Sequence, residues 1–516
     1  MRSKERGKFL WGVATSAYQS EGGYNRSGMP HTNWAGAERR GDVEPVGQAA
    51  EFWNRYREDF EACQRLGLNA FRLSVEWSRI QPTLSEDVGQ APAFDYQALD
   101  SYAEILCQCR AHGLEPLLTL QHFVHPAWLG VDAWLSASVI DHYVDYVRTV
   151  VLYLNRAMVS KGYAPVRYYI TINEPNMLVL NTYIGHQFPS QARRNLRTAV
   201  KAIDHLLTAH VLGYNAIHAI YRDADWPTPL VTINTYCSDL YWCDKLLLDL
   251  LSLPERQIES SAINDHIRSR AIAFEQELRN AEIPLRKDFA SLIGAGIRNL
   301  IHRLGLRCFD IGHLPYLLST LKDAPRNRLL DYVAIDYYDP FSAHTLRPPV
   351  WWDHEFKNKS LRAWIMSSIT SKWWDWTVLP HGLYFFCRYY AAEFPGRPLI
   401  IAENGMALRR RRDNSYSHRR DNISRSEFLR LHIEEVIRIV RADLPLIGYM
   451  HWSLFDNYEW GSYTPRFGLY SLNYQTGTAR LERDHHGDTP AETYALLIRE
   501  ANRIIMEGFL GRLISD

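Results

Sequence analysis

Two stretches decide the fold: Ile170-Thr171-Ile172-Asn173-Glu174-Pro175 and Leu399-Ile400-Ile401-Ala402-Glu403-Asn404-Gly405. Each is a short apolar run, rich in isoleucine, that ends on an amide and a carboxylate. Runs of this kind suit strands buried on both faces. A carboxylate placed directly after such a strand is costly unless it is paired, hydrated or used. The two stretches extend to candidate strands over Tyr168–Ile172 and Leu399–Ala402, and comparable runs stand at Phe9–Ala14, Ala70–Val75, Pro116–Leu120, Leu230–Ile233, Tyr332–Ile335 and Leu446–Met450. Helical patterns separate or follow them, at Gln48–Leu66, Tyr96–His112, Ser136–Leu154, Ala192–Tyr221, His381–Ala392, Ser424–Ala442 and Thr489–Ile505.

Eight strands alternating with helices predict an α/β chain closed as a single (β/α)8 TIM barrel, one catalytic domain over 1–516. A bare barrel needs only about 250 residues, and the chain has 516. The surplus falls in long loops at the C-terminal face. The largest is an enlarged βα excursion after strand 5, about 234–331, with helical periodicity in Trp242–Leu253, Ile263–Ala281 and Ala290–Leu304. It is expected to lie over the barrel mouth. A smaller excursion, Phe341–Thr377, carries Trp351, Trp352, Trp364, Trp373, Trp374 and Trp376, and the Arg409–Arg412 run reads as an exposed loop.

Composition narrows the function. Lys+Arg and Asp+Glu both number 58, which leaves no basic excess to gather nucleic acid. The apolar run Leu246–Leu251 is cut by Asp249 and falls far short of a membrane span. Phe9–Ala14 is too short for the apolar core of a signal peptide, so a cytoplasmic location is the default. The seven cysteines include no C-x-x-C pair. Cys107 and Cys109 lie two apart in a helical pattern and do not face each other, so the cysteines read as buried reduced thiols. His122 and His125 stand three apart before a Pro126 turn, and His485–His486 reads as an exposed pair. No metal and no cofactor is expected.

In such a barrel the strands' C-terminal ends meet at one face, where active sites lie. Those ends supply Thr15–Glu21, Arg72, Gln121–His122, Asn173–Glu174, Asn234, Tyr337–Tyr338, Glu403–Asn404 and His451–Trp452. Either Glu174 or Glu403 alone would serve as a helix cap. Converging across the mouth, the two would hold their pKa values apart, because both cannot ionise cheaply at short range. That is the equipment for glycoside hydrolysis with retention: one carboxylate attacks the anomeric carbon while the other, protonated, donates to the leaving oxygen.

The chain resembles the family 1 glycoside hydrolases, which include β-glucosidases and β-galactosidases. The resemblance rests on six stretches in the family's order between Phe9 and Trp460: Phe9 to Gln19, Phe71 to Ile80, Thr119 to Phe123, Thr171 to Pro175, Glu403 to Gly405 and Trp452 to Trp460. It implies Glu174 as acid/base and Glu403 as nucleophile, with Arg72 and Tyr338 contacting the nucleophile. Arg72 would keep Glu403 ionised, and that charge would raise the pKa of Glu174. The resemblance further implies Asn173 on the sugar 2-hydroxyl and Gln19, His122, Glu459 and Trp460 on the other hydroxyls. Trp452 would lie under the ring, and Trp376 either on the aglycone side or as a core aromatic under its loop. An intact Glu174 argues against a thioglucosidase. Glu459 and Trp460, with no Lys between Trp452 and Leu472, argue for an unphosphorylated glycone, since a carboxylate would repel phosphate.

The family usually has Asn where this chain has Asp336, a third carboxyl that either raises the pKa of Glu403 or is neutralised by a basic neighbour. The segment Trp460–Arg466 is one residue shorter than usual, which changes the wall near the 4- and 6-hydroxyls. The expected activity is that of a retaining β-glycosidase, glucosidase-like, on a small-molecule β-glycoside. A transglycosylase or a glycolipid-directed glycosidase would use the same carboxylates, and an inactive sugar-binding protein would not need them. For lipid contact the excursion offers Leu246-Leu247-Leu248, Leu250-Leu251, Leu292-Ile293, Arg298, Arg303 and Arg307. Helices packed on their own barrel account for these residues without a membrane.

Overall fold

The computed structural model describes residues 8–83, 91–281, 283–285, 289–338, 340–341, 376–411, 415–419 and 421–513. Parallel strands form the barrel wall: β1 (Leu10–Ala14), β2 (Ala70–Ser74), β3 (Glu115–Thr119), β4 (Tyr168–Ile170), β5 (Leu230–Thr232), β6 (Asn234–Tyr236), β7 (Val333–Tyr337), β8 (Leu399–Asn404) and β11 (Leu446–Trp452). Their order is β5-β4-β3-β2-β1-β11-β8-β7-β6. The fifth expected strand is broken at Ile233 into β5, which pairs with β4, and β6, which pairs with β7. The chain itself thus joins the two ends of the sheet, and the expected (β/α)8 barrel is present.

Alternation along the strands sorts the side chains. Ala14, Ala70, Leu117, Ile170, Ala334, Ile400 and Met450 pack together inside the barrel. Val13, Phe71, Leu118, Tyr169, Val231, Ile335 and Ile401 face the surrounding helices. Small residues are required where strands crowd: a Cβ on Gly12 would stand 2.5 Å from the Ala70 carbonyl oxygen. Around the wall lie helices α1 (Phe52–Arg65), α2 (Tyr96–Ala111), α3 (Ser138–Ser160), α4 (Leu196–Asp223), α5 (Lys245–Leu251), α6 (Ile263–Asn280), α7 (Phe289–Cys308), α8 (Pro315–Asp323), α9 (His381–Glu393), α10 (Arg425–Arg441) and α11 (Pro490–Leu513).

Several expectations need correction. Helix α1 starts four residues later than its pattern, because Ala49 and Glu51 hold left-handed φ of 47° and 55°. Asn234 belongs to a strand, so the excursion begins at about 237. It does not simply cover the mouth. Its α8 packs on α4, while Phe274 of α6 meets Phe385 and Tyr389 of α9. The Leu247–Leu248 and Leu250–Leu251 pairs are buried as expected, whereas Leu292 and Ile293 of α7 face solvent. Arg409 and Arg410 are half-buried in β9 (Leu408–Arg410), which pairs with β10 (Tyr416–Ser417) and β12 (Pro465–Arg466), instead of forming an exposed loop. Cys308 is exposed and Cys243 half-exposed, while the other five cysteines are buried and all seven are free thiols. The tryptophans at 351, 352, 364, 373 and 374 lie outside the described residues.

Candidate active site

Glu403 is positioned by an irregularity. β7 and β8 run in step through Ile335 and Ile401, and then Asp336 pairs with Glu403, leaving Ala402 as an extra residue. Such a bulge re-aims the side chain that follows it. Arg72, between the outward-facing Phe71 and Leu73, projects into the barrel and is fully buried. Its Nη1 donates to the Ala402 carbonyl at 3.2 Å and to Glu403 Oε1 at 2.6 Å. The bulge and its carboxylate are therefore held by one guanidinium. Tyr338 donates its hydroxyl to the other oxygen, Glu403 Oε2, at 2.9 Å.

Glu174 follows β4 and precedes a short helix, Pro175–Val179, with a left-handed φ of 36°. For a non-glycine residue that is a strained conformation of the kind concentrated at functional sites. Oxygens of Glu174, Asp336 and Glu403 lie within 4.8 Å of one another. Arg72, 3.8 Å from Asp336 Oδ1, supplies the positive charge this cluster requires. Arg72 Nη2 also donates to Asn173 Oδ1 at 2.5 Å. Asn234 donates from Nδ2 to Asn173 Oδ1 at 2.8 Å and to Asp336 Oδ2.

Burial lifts the Glu174 carboxyl well above the usual range, and the negative charges of Asp336 and Glu403 push it the same way. Asp336 is also raised well above its ordinary value by burial and by Glu403, against the pull of Arg72. Glu403 is raised by burial, opposed by Arg72 and the Tyr338 hydroxyl. Asp336 has Asn234 as a donor and the Arg72 charge 3.8 Å away, which makes it the better anion of the Glu174–Asp336 pair and Glu174 the better acid. The expectation that Arg72 favours ionised Glu403 agrees with this geometry, although burial outweighs that pull.

The residues expected around a sugar converge on the same mouth. Gln19 Nε2 donates to Glu459 Oε2 at 3.1 Å, and Trp452 Nε1 donates to Glu459 Oε1 at 3.0 Å. The His122 ring stacks parallel to Trp452 and to Trp460, with centroids 5.8 Å away in each case. Burial pushes Glu459 up to about 8, with the Glu403 charge adding to the rise. Trp376 is half-buried, its ring centroid 5.8 Å from that of Tyr338 and 6.3 Å from that of Tyr236. Buried polar atoms without a partner cluster here: His122 Nδ1, Asn173 Nδ2, Glu174 Oε1, Asp336 Oδ1 and both amide atoms of Gln121. Unmet buried groups of this kind are costly, and a polar ligand would satisfy them.

Sequence alone assigns Asn234 no role beyond its place at a strand end and assigns Asp336 only an influence on Glu403; in the structure the Asp336 charge acts chiefly on Glu174, while burial raises Glu403. The inward alternation of Asn234 and Asp336 on β6 and β7 is the available signal. Neither His125 nor His485–His486 joins the site; His125 is buried and bonds the Gly130 carbonyl, and the pair is exposed.

The family model for glycosyl hydrolase family 1 matches residues 1–237 and 313–488, so its two segments flank most of the excursion. Beta-glucosidase A of Thermotoga maritima is 26% identical over 486 residues, covering 91% of this chain and 93% of the relative. The 6-phospho-beta-galactosidase 1 of Streptococcus pneumoniae is 25% identical over 485 residues, covering 91% and 94%. A solved beta-glucosidase from Thermotoga maritima in complex with castanospermine superposes with a TM-score of 0.64 at 21% identity, covering 96% of this chain and 99% of that one, a likeness in fold. With both halves of its barrel matched by the family model, the chain belongs to glycosyl hydrolase family 1 and is a glycoside hydrolase.

Proposed function

We propose that this chain is a retaining β-glycosidase with a β-D-glucoside-like preference and an unphosphorylated glycone. The observation that carries the reading is the close approach of Glu174 and Glu403, whose oxygens come within 4.8 Å. Retaining enzymes keep their carboxyls about 5–5.5 Å apart, whereas inverting enzymes leave roughly 6.5–9.5 Å for a water. Glu403, fixed by Arg72 and Tyr338, attacks the anomeric carbon to form a covalent glycosyl-enzyme, while Glu174 gives its proton to the leaving oxygen. Glu174 then takes a proton from the water that releases the sugar. Asn173 bonds the 2-hydroxyl, Gln19, His122, Glu459 and Trp460 bond the remaining hydroxyls, and Trp452 offers an apolar face to the ring. Trp376 lines the aglycone side.

The argument against a phosphorylated sugar changes form. With Glu459 pushed up to about 8, charge repulsion is weak near neutral pH. What disfavours phosphate is that Glu459 is engaged by neutral donors, Gln19, Trp452 and Asn457, with no cation among its hydrogen-bond partners in the described residues. The matched relatives include both sugar classes, so the test compares aryl β-D-glucoside with its 6-phosphate; faster turnover of the phosphate would overturn this part. For the mechanism, Glu403→Gly should lower turnover by about four to six orders of magnitude. Added azide should restore turnover and yield the α-glycosyl azide. Wild-type activity in that variant would remove the nucleophile assignment.

A further inference from the structure

Helix α7 is built inside out. Its solvent side carries Leu292, Ile293, Ile297, Leu300, Ile301 and Leu304, with Leu292 62% and Leu300 57% exposed. Its inner side carries Ser291, Gly294, Arg298 and His302, all buried or half-buried. The rotation of the helix is fixed by specific contacts. Arg298 makes a bidentate pair with Glu275 of α6, two bonds of 2.7 Å, and its Nη1 also donates to the Asp239 carbonyl at 3.0 Å. Trp242 Nε1 donates to the His302 carbonyl at 3.2 Å, and the Trp242 ring sits where a Cβ on Gly305 would be, 2.2 Å away. Asp239 lies three residues beyond the end of β6, and its N–H donates to the Pro340 carbonyl in the loop after β7 at 3.1 Å. The aliphatic face therefore belongs to a helix anchored at the catalytic rim of the barrel.

A ridge of six exposed aliphatics is more than scattered surface hydrophobicity and marks a contact surface. Charge selects the partner. Residues 289–308 contain Arg298, Arg303 and Arg307 and no Asp or Glu, and Arg303 and Arg307 are exposed. In a two-fold pair each copy offers the same patch to the other. The exposed Arg303 and Arg307 would then meet with no carboxylate on either copy of the helix to answer them. An anionic lipid surface answers both features, with acyl chains for the aliphatic ridge and headgroup phosphates for the arginines. We infer that α7 is a membrane-docking helix that seats this enzyme, rim side first, on anionic lipid.

The test uses the full chain and vesicles of phosphatidylcholine with or without phosphatidylglycerol, read by co-sedimentation. The wild type should bind the phosphatidylglycerol vesicles and release as salt rises. Ile297→Glu and Leu300→Glu should abolish binding, and Arg303→Glu with Arg307→Glu should weaken it by roughly thirtyfold or more. Because these side chains are exposed, hydrolysis of a soluble aryl glycoside should be unchanged in every variant, which separates lost docking from lost folding. Failure of the wild type to bind either vesicle overturns the inference, as does binding that survives Leu300→Glu. A dimer in sedimentation velocity that Leu300→Glu dissociates, without vesicle binding, would reassign the face to a second copy and overturn it too.

Discussion

The barrel mouth packs three buried carboxyls around one guanidinium, whereas α7 turns six aliphatic side chains toward water and keeps an arginine and a histidine inside. Neither region obeys the rule that apolar residues go in and charged ones stay out. The difference lies in what each buried charge does. On α7, Arg298 is fully answered by Glu275 and a carbonyl, so its charge is spent on fixing a helix. At the mouth, Arg72 is shared among Glu403, Asn173 and the bulge carbonyl, and Glu174 and Asp336 are left with unmet oxygens. A satisfied buried charge holds structure, and an under-satisfied one is poised for a ligand.

The contrast can be broken most sharply at Glu174. Replacement by Ala should cut kcat/KM for alkyl β-glucosides by about 10²–10⁴, while dinitrophenyl glycosides lose much less, since they leave without protonation. Equal losses on both would mean that Glu174 is structural like Arg298. Next comes a pair of arginine replacements measured side by side by urea unfolding. Arg72→Met strands a cluster of buried carboxyls and should cost about 3–5 kcal/mol together with activity. Arg298→Met should cost about 1.5–3 kcal/mol and leave aryl-glucoside kcat unchanged. A fall in kcat for Arg298→Met would erase the distinction.

The smallest effect sharpens the mouth itself. Asp336→Asn removes a negative charge facing Glu174, so the pKa of the acid falls and the alkaline limb of kcat/KM moves down by about one unit. The groups around Asp336 that set this response are Arg72, Glu174, Glu403, Tyr332 and Cys237, with Asn234 as its amide donor. Stability should respond in the same sense. A carboxyl whose folded pKa is raised favours the fold below its ordinary value and loses that contribution as pH climbs through the raised value. Thermal unfolding of Asp336→Asn should therefore decline less from acid to neutral pH than that of the wild type. A parallel decline would show that Asp336 titrates normally.

Much of the mouth is readable because carboxylates, amides and a guanidinium within or just after apolar runs have few other reasons to be there. Arg72 and Trp452 obey period two within their strands, whereas Glu403 owes its direction to the bulge at Ala402 and Glu174 to a left-handed backbone beyond β4, which periodicity does not reveal. Asp336 and Asn234 were underread because their meaning is pairwise: each matters through a neighbour on another strand. The start of α1 is not legible in the sequence, because nothing in the pattern of Ala49 and Glu51 reveals a left-handed backbone. Helix α7 exposes a deeper limit. Periodicity locates an apolar stripe but not which way it faces, and here Glu275 and Trp242, distant in sequence, settle the rotation.

The extra residue at Ala402 gives the nucleophile an arithmetic of its own. Ile400 faces in, Ile401 faces out and Ala402 faces in, so simple alternation would send Glu403 outward into the helical layer. The supernumerary residue restores parity with Asp336 on the neighbouring strand. Substitution at this position cannot change an odd count to an even one; only a gained or lost codon can. Drift by point mutation therefore leaves the carboxylate's direction untouched, while loss of the Ala402 codon would let the glutamate follow Ile401 in regular register with Asp336 and would remove the carbonyl by which Arg72 holds the bulge.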